Sequence, residues 1–271
     1  VSLVEVSLDG GAFQPATGTT NWTFALPTGP STWRDGSEHT VTVRATDDRN
    51  QQATNSTLTV RTGTYNDING DGYADVVVGA TGYSSFAGRV YVFHSAGSQG
   101  VIVTEAAFAS TILTGEAIAN SFGTSVAVGD VNGDGYADVV AGATGGTGRV
   151  YIFHSAGAQG VTATDAAAAS TILTGETTST SFGLTIAVGD ITGDGYADVV
   201  AGAQGYSTAT GRVYVFHSTG SPGVTATLAS AARTIITGEL TSYFGHSVAT
   251  GDVNGDGIAD HIAGAWSYDT S

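Results

Sequence analysis

Apolar residues along most of the chain occur in short runs separated by Gly, Asn, Asp and Ser. Typical runs are SVAVGD (125–130), ADVVAGA (137–143), GRVYIFH (148–154) and STILTG (170–175). They are rich in Val, Ile, Tyr and Thr and do not follow the 3.6-residue period of an amphipathic helix, so they predict short β-strands. Two Ala-rich stretches, 105–109 and 164–169, fit no more than a single helical turn, because Gly and Thr lie on both sides.

The runs repeat with a period of about 60 residues. GRVYVFHSAG (88–97) returns as GRVYIFHSAG (148–157) and GRVYVFHSTG (211–220), and SFG (121–123) returns at 181–183 and as YFG at 243–245. Each complete unit therefore contains four predicted strands. Four-stranded antiparallel units of this length are typical of β-propeller blades, in which radial repetition protects the sheet edges.

Residues 1–62 contain no copy of this unit and instead show alternating strand patterns. These are VSLVEVSLDGG (1–11), which turns at Asp9, then NWTFAL (21–26), EHTVTVRATDD (38–48) and STLTVRT (56–62). The pattern predicts a small β-sandwich. We therefore expect an all-β chain with two domains, a sandwich at 1–62 and a repeat region at 65–271.

The order FG, then VAVGDVNGDGYADVVAGA, then GRVYIF resembles the FG-GAP repeat, the blade unit of the seven-bladed propeller in integrin α subunits and in many secreted bacterial proteins. About three and a half repeats are present, which implies a partial propeller. The first 62 residues resemble a bacterial Ig-like domain. Such domains normally have one or two further strands before the segment that matches VSLVEVSLDGG. We therefore expect a fragment of a longer chain, although four blades closing into a small ring are an alternative.

The composition excludes several classes of protein. There are 24 acidic residues against 8 basic ones, a formal charge of −16, which argues against a nucleic-acid partner. Cysteine is absent, so there is no disulfide, thiolate metal site or thiol nucleophile. No stretch approaches the roughly 18 consecutive apolar residues that a membrane helix needs, so membrane insertion is not expected.

An acidic segment of nine residues appears four times, as DINGDGYAD, DVNGDGYAD, DITGDGYAD and DVNGDGIAD. Oxygen-bearing side chains occupy positions 1, 3, 5 and 9, and Gly occupies position 6, the spacing of calcium loops in which position 7 binds through its carbonyl. No helices flank these segments, so they are not EF-hands. The predicted ligands are Asp67, Asn69, Asp71, Tyr73 and Asp75; Asp130, Asn132, Asp134, Tyr136 and Asp138; Asp190, Thr192, Asp194, Tyr196 and Asp198; and Asp252, Asn254, Asp256, Ile258 and Asp260.

Such segments also form turns without any metal. Twelve of the 24 acidic residues lie in these four loops, however, and three carboxylates within nine residues repel one another unless a cation is bound. We therefore expect about four Ca²⁺ ions, one per loop. Thr192 replaces the Asn of the other loops at position 3, and the third site is expected to be the weakest. The resemblance to FG-GAP units implies the same loops in the same place.

Other repeated residues are expected to have structural roles. His94, His154 and His217 occupy the same position in successive repeats, and a propeller would keep these positions far from one another. His39, His246 and His261 do not have the spacing of metal ligands. Arg89, Arg149 and Arg212 are expected to pair with carboxylates or carbonyls, and Phe122, Phe182 and Phe244 to anchor the core.

Catalysis is not expected, because the carboxylates occur in four equivalent copies, whereas an acid–base site needs unequal ones, and no nucleophile, zinc or phosphate-loop motif is present. We expect no catalytic or organic-cofactor site.

The function expected from these features is calcium-dependent adhesion or ligand display by a secreted or surface-attached bacterial protein. The alternatives are a structural spacer or a carbohydrate-binding module attached to an enzyme elsewhere in a longer chain. The loops that differ between repeats, 81–87, 144–147 and 204–210, are where an unknown protein or glycan ligand is expected. A calcium affinity in the millimolar range would place these loops outside the cell.

Overall fold

The computed structural model describes residues 1–25, 38–54, 58–61, 66–177 and 180–267. The chain divides into two compact units, Val1–Thr64 and Tyr65–Ser271. The predicted boundary at 62–65 lies outside the described residues.

The first unit contains a five-stranded antiparallel sheet. Its strands are β1 (Leu3–Leu8), β2 (Gln14–Pro15), β3 (Glu38–Thr46), β4 (Gln52–Thr54) and β5 (Leu58–Arg61). They pair in the order β2-β1-β3-β4, with β5 also pairing with β3. The described residues form one sheet, and a second sheet facing it is not among them, so the sandwich remains a prediction.

The strand predicted at 21–26 is not formed by its described part, 21–25. The chain turns back on itself after Gly18, which has a φ of +93°, and only Thr17 and Thr23 pair as an isolated bridge. The predicted turn after β1 is present, with Asp9 and Gly10 at positive φ and the Gly11 N–H donating to the Leu8 carbonyl over 2.8 Å.

The second unit contains four antiparallel sheets, here called repeat sheets 1 to 4. Sheet 1 has three strands, sheets 2 and 3 have four each, and sheet 4 has two among the described residues. The strands are β6 (Val76–Ala80), β7 (Arg89–Phe93) and β8 (Thr111–Thr114); β9 (Phe122–Gly129), β10 (Asp138–Ala143), β11 (Arg149–Phe153) and β12 (Thr171–Thr174); β13 (Thr185–Gly189), β14 (Asp198–Ala203), β15 (Arg212–Phe216) and β16 (Thr234–Thr237); and β17 (Phe244–Gly251) and β18 (Asp260–Ala265). The predicted all-β fold with four-stranded antiparallel units is confirmed.

In the described ranges, helical structure is limited to single turns. Short 3₁₀ turns at Gly97–Gln99, Ala106–Phe108, Gly157–Gln159, Ala166–Ala168 and Ala229–Ala231 include the two predicted Ala-rich ones. The turns α1 (Tyr83–Phe86) and α2 (Tyr206–Ala209) are left-handed, and three consecutive non-glycine residues in each have positive φ. The sequence did not predict them, because Ser, Thr, Phe and Ala rarely adopt this conformation.

The hydrophobic cores lie between consecutive sheets. One cluster joins Val90 and Val92 of sheet 1 to Tyr151 and Phe153 of sheet 2, and an equivalent cluster joins sheets 2 and 3. All six residues of β10 and of β14 are buried, because a sheet covers each of their faces. This arrangement explains why DVVAGA reads as a continuous apolar run rather than an alternating strand pattern.

Glycine allows the sheets to approach closely near the FG motif. A Cβ on Gly142 would lie 2.0 Å from the carbonyl oxygen of Gly183 in the next sheet, and Gly202 meets Gly245 in the same way at 2.2 Å. Phe122 and Phe182 beside these glycines are buried, while Phe244 is half-buried. The predicted anchoring role is confirmed for Phe122 and Phe182.

This contact predicts a strong effect of Gly142→Ala. The new methyl group must displace the backbone of sheet 3, and we expect a loss of about 1–3 kcal/mol in the free energy of unfolding, the usual range for overpacking. Gly264→Ala is the matched control, because that Cβ meets only Ser247 of its own sheet, whose Oγ lies 2.4 Å away on a side chain that can rotate. Urea unfolding of the whole chain measures both, and equal losses for the two variants would contradict the close-approach explanation.

Candidate metal-binding loops

The four acidic loops precede β6, β10, β14 and β18 and share one backbone shape. Their fourth and sixth residues are glycines with positive φ in every copy. The values are +71° and +87° for Gly70 and Gly72, +71° and +87° for Gly133 and Gly135, +73° and +87° for Gly193 and Gly195, and +80° and +85° for Gly255 and Gly257. Since L-residues rarely adopt this region, the two glycines allow the chain to turn tightly around the side chain at position 1.

The aspartate at position 1 organises each loop. In the second loop, Asp130 Oδ1 accepts hydrogen bonds from the N–H groups of Gly133 (2.6 Å) and Asp134 (3.1 Å), and its Oδ2 accepts one from Gly135 (2.8 Å). The same three contacts occur at Asp67, Asp190 and Asp252. At Asp252 these backbone hydrogen bonds lower the pKa of the carboxyl group.

Positions 3 and 5 continue the same pattern at the exposed tip. Asn132 Oδ1 accepts from the Asp134 N–H over 3.0 Å, and Asp134 Oδ1 accepts from the Tyr136 N–H over 3.0 Å. In the third loop, Asp194 Oδ1 still accepts from the Tyr196 N–H over 3.0 Å, although position 3 is Thr192. The loop shape therefore does not depend on Asn at position 3.

The aspartate at position 9 lies at the base of the loop. Asp138 is fully buried, and its two oxygens accept hydrogen bonds from the N–H groups of Val131 (3.0 Å) and Ser155 (2.8 Å). Burial, which disfavours the ionised form, raises the pKa of Asp138 to about 7, and the pKa values of Asp75 and Asp198 are raised for the same reason. A positive charge bound nearby would therefore stabilise the ionised form of these carboxylates.

The residue at position 7 connects neighbouring loops. A Cβ on Gly70 would lie 2.3 Å from the Tyr136 ring of the next loop, and one on Gly133 would lie 2.1 Å from the Tyr196 ring. Ile258 occupies the equivalent place against Gly193, at 2.9 Å. The sequence predicts a role only for the backbone carbonyl of this residue, and the contact that its side chain makes with the neighbouring loop is not visible in the local pattern.

Within the part of the chain that the structure describes, no three His, Asp or Glu side chains form a group that could hold a metal ion. The carboxylates at positions 1 and 9 accept hydrogen bonds from backbone N–H groups, and for Asp138 these include the N–H of Ser155 outside the loop. The donor set itself fits a hard divalent cation, since every loop combines carboxylates with an amide or hydroxyl oxygen. The residues at positions 1, 3, 5 and 9, with the carbonyl of position 7, would hold such an ion.

The repeated histidines are not brought together. The Nε2 atoms of His94 and His154 are buried without a hydrogen-bond partner among the described residues, and burial lowers the pKa of His154. His154 Nε2 would lie 2.8 Å from a Cβ on Gly223 of the next sheet. These histidines pack between sheets, which agrees with the structural role that we expected.

The repeated arginines connect consecutive sheets. Arg149 pairs with Glu116 at 2.6 Å and Arg212 pairs with Glu176 at 3.1 Å, which confirms the carboxylate pairing expected for both. The guanidinium of Arg89 lies over the Tyr83 ring at 3.6 Å, and that of Arg212 lies over the Tyr206 ring at 3.7 Å.

The FG-GAP repeat model matches residues 61–93, 122–153, 182–216 and 244–269. Each of these segments contains one of the four acidic loops. The chain carries four FG-GAP repeats. The predicted resemblance to these repeats is therefore confirmed, whereas the Ig-like resemblance of the first unit stays a prediction.

The chain is similar to integrin α subunits. It is 33% identical to integrin alpha-6 of Gallus gallus over 172 residues, which are 58% of this chain and 14% of that protein. It is 32% identical to integrin alpha-PS2 of Drosophila melanogaster over 225 residues, 75% of this chain and 15% of that protein.

An enzyme also contains a similar segment. Phosphatidylinositol-glycan-specific phospholipase D of Bos taurus is 33% identical over 168 residues, 56% of this chain and 20% of that protein. The chain thus spans between 14% and 20% of the length of these three relatives. In the described residues no helix is long and apolar enough to cross a membrane.

The raised pKa of Asp138 predicts a pH dependence of stability in metal-free buffer. A carboxyl group whose pKa is about 7 when folded, against 3.8 when unfolded, binds its proton more tightly in the folded state. Its contribution to the free energy of unfolding is therefore present below pH 4 and is lost as the pH rises towards 7. Asp138→Asn, which cannot titrate, is expected to show a flatter profile than the wild type in urea unfolding from pH 4 to 8. Parallel profiles would contradict this prediction.

Proposed function

We propose that the chain is a calcium-binding, non-catalytic module for adhesion or ligand display in a secreted or surface-attached bacterial protein. The observation that carries the calcium proposal is the buried carboxylate at position 9. Asp138 has no exposed surface and a pKa raised to about 7, and it lies at the base of a loop that has two further carboxylates. A bound divalent cation would offset both the desolvation and the mutual repulsion of these groups.

The proposed ligands in each loop are the side chains at positions 1, 3, 5 and 9 and the carbonyl at position 7. Four Ca²⁺ ions add eight positive charges and change the formal charge from −16 to −8. Thr192 offers a shorter and weaker ligand than Asn132, and the third loop is therefore the weakest of the four.

Location outside the cell follows from the expected affinity. Extracellular calcium modules have dissociation constants of roughly 0.1 to 1 mM. At about 1 to 2 mM Ca²⁺, a site with a constant near 0.1 mM adds about 1.5 kcal/mol to the free energy of unfolding. Four such sites add about 6 kcal/mol, which is comparable to the whole stability of an ordinary domain. Cytosolic calcium lies far below these constants and would contribute little.

A ligand-binding role is supported by the similarity to integrin α subunits and by the placement of the variable loops. The turns at 81–87, 144–147 and 204–210 differ in sequence between repeats. They join β6 to β7, β10 to β11 and β14 to β15, at the end of each sheet away from the acidic loops. The proposed ligand is a protein or a glycan that binds these loops. The acidic loops occur in four copies of one sequence pattern, whereas an acid–base active site is a single distinct set of groups, and this supports a non-catalytic role.

The first unit is proposed to be an Ig-like domain of residues 1–62, followed by the propeller region at 65–271. A second candidate function is that of a spacer or carbohydrate-binding module attached to an enzyme elsewhere in a longer chain. The similarity to a segment of phosphatidylinositol-glycan-specific phospholipase D favours this candidate.

Calcium is expected to raise the melting temperature of the whole chain strongly. The test is a thermal melt in 2 mM Ca²⁺ and again in excess chelator, together with a calorimetric titration that should give about four ions per chain. An equal melting temperature in both buffers, or no bound calcium, would contradict the calcium proposal and show that the acidic loops are turns without a metal. Magnesium at the same concentration is the control for ionic strength.

Exchanging the residues at position 3 is expected to exchange the strengths of two sites. Thr192→Asn should strengthen the third site, and Asn132→Thr should weaken the second, each by on the order of three- to tenfold, because one oxygen ligand is gained or lost. The two variants are matched controls for each other, and calorimetric titration measures both. Unchanged affinities in both variants would exclude position 3 as a ligand.

A further inference from the structure

The turn between β10 and β11 lacks a tyrosine that the equivalent turns of sheets 1 and 3 contain. Those turns read TGYSSFA (81–87) and QGYSTAT (204–210), whereas the turn of sheet 2 reads TGGT (144–147) and is four residues long rather than seven. Gly146 therefore occupies the sequence position of Tyr83 and Tyr206. A Cβ on Gly146 would meet no atom within 4 Å, so the space beside it is open.

In sheets 1 and 3 this tyrosine covers a repeated arginine. The guanidinium of Arg89 lies 3.6 Å from the centroid of the Tyr83 ring, and that of Arg212 lies 3.7 Å from the centroid of the Tyr206 ring. Arg149 is the equivalent residue in sheet 2, and among the described residues no aromatic ring lies over it. Its side chain is 38% exposed, against 21% for Arg212. One face of the Arg149 guanidinium is therefore open.

An open cavity of about 410 Å³ lies beside this arginine. It is lined by residues 116–120, which connect β8 to β9, and by Gly145, Gly146, Thr147 and Arg149. Sheet 2 packs against sheet 1 on one side and sheet 3 on the other, so the cavity belongs to an inner repeat. Ligand pockets have volumes of roughly 300 to 1,000 Å³. The cavity thus has the size of a ligand site, at the place where the neighbouring repeats hold their own tyrosine.

Backbone hydrogen bonds fix the walls of the cavity. The Gly145 N–H donates to the Asn120 carbonyl over 3.0 Å and joins the two walls. The Ala119 N–H donates to the Ser85 carbonyl over 3.1 Å and holds the same segment on the turn of sheet 1. The cavity is therefore pre-formed, and a ligand that enters it orders little additional chain.

The chemistry of the cavity favours an aromatic ring over an anion. Arg149 Nη1 lies 2.6 Å from Glu116 Oε2, so a carboxylate ligand would compete with an existing ion pair, and the formal charge of −16 also disfavours it. The open planar face of the guanidinium instead attracts the face of an aromatic ring. The Asn120 amide adds a polar group to the wall, which suits a ring that carries a hydroxyl.

The rim of the cavity favours a side chain of a protein over a free aromatic molecule. Ile118 lines the cavity and is 73% exposed, so it offers apolar contact to a ligand that extends beyond one ring. Tyrosine is among the residues that most often anchor protein interfaces, where its ring fills a pocket and the surrounding residues exclude water.

We propose that the cavity formed by residues 116–120 and 145–149, here called the arginine cavity, binds a tyrosine side chain of a protein partner. The ring would lie over Arg149 as Tyr83 and Tyr206 lie over their arginines. This inference rests on the proposed ligand-binding function and names the partner chemistry for the turn at 144–147.

The test uses the full ¹⁵N-labelled chain in 2 mM Ca²⁺ and three capped tripeptide amides. One is acetyl-Gly-Tyr-Ser-amide, the sequence shared by the turns of sheets 1 and 3, and in the other two leucine or aspartate replaces the tyrosine. Nuclear magnetic resonance titration is expected to shift the amide signals of Gly145 and Gly146 with the tyrosine peptide, at a dissociation constant in the millimolar range. The leucine peptide should bind about two- to fivefold more weakly, the usual worth of an exposed cation–π contact, and the aspartate peptide should bind no better.

Two variants test the site itself. Arg149→Gln should weaken binding of the tyrosine peptide, because the guanidinium face is removed. Arg212→Gln is the matched control, since Arg212 also pairs with a glutamate but is already covered by Tyr206, and it should bind as the wild type does. Replacing the turn TGGT at 144–147 by QGYSTAT should abolish binding, because the introduced tyrosine occupies the cavity. Melting temperatures in calcium verify that every variant is folded.

The proposal is overturned if the tyrosine peptide leaves the signals of residues 145–147 unchanged, or if the leucine or aspartate peptide binds equally well. Equal binding by the Arg149 and Arg212 variants, or undiminished binding by the turn replacement, would also overturn it. Shifts confined to 81–87 or 204–210 would overturn this inference and leave the proposed ligand-binding function standing. The calcium titration is independent of all these results.

Discussion

Packing of each repeat sheet against the next is the interaction on which the rest of the repeat region depends. A sheet in this array has no core of its own, and its apolar residues are covered only by its neighbours. Residues of β10 and β14 are buried on both faces, whereas Val76 and Val78 of sheet 1 and Ile262 of sheet 4 are largely exposed. As in other repeat proteins, stability is therefore a property of neighbouring pairs of sheets rather than of single repeats.

The acidic loops are part of this packing. Ile68, the second residue of the first loop, is fully buried in the core between sheets 1 and 2, and Val131 has the same place between sheets 2 and 3. The Ser155 hydroxyl of sheet 2 donates to the Ile68 carbonyl over 2.6 Å. Each of these two loops thus belongs structurally to two sheets. A cation held by its carboxylates would stabilise the contact between the sheets as well as the loop itself.

The turns at the other end of each sheet, away from the acidic loops, vary more than the loops do. The turns at 81–87, 144–147 and 204–210 differ in sequence, and the turn at 144–147 is shorter than the other two, which share a left-handed conformation. The left-handed turns at Tyr83–Phe86 and Tyr206–Ala209 place tyrosines under Arg89 and Arg212, with the guanidinium 3.6 Å and 3.7 Å from the ring centroids. Variation is therefore possible at this end without loss of the stacked sheets.

The strands and loops of the repeat region could be predicted from the sequence because they depend on local pattern. Apolar runs, turn glycines and the fourfold acidic segment all lie within a few residues of one another, and the structure places each of them as expected. The strand predicted at 21–26 does not form in its described part, 21–25, because the chain turns back on itself after Gly18. Only the single bridge between Thr17 and Thr23 forms there among the described residues.

The sequence by itself determined the repeat, the all-β fold, the four loops and the donor atoms in them. Only the tertiary structure decided which of these groups meet, because the deciding contacts join residues from different repeats. The tyrosine at position 7 packs on the glycine of the neighbouring loop, Arg149 reaches Glu116, and Trp266 stacks on His246 beside Gln204. The raised pKa of Asp138 has the same origin, since its burial is complete only when the sheets are stacked.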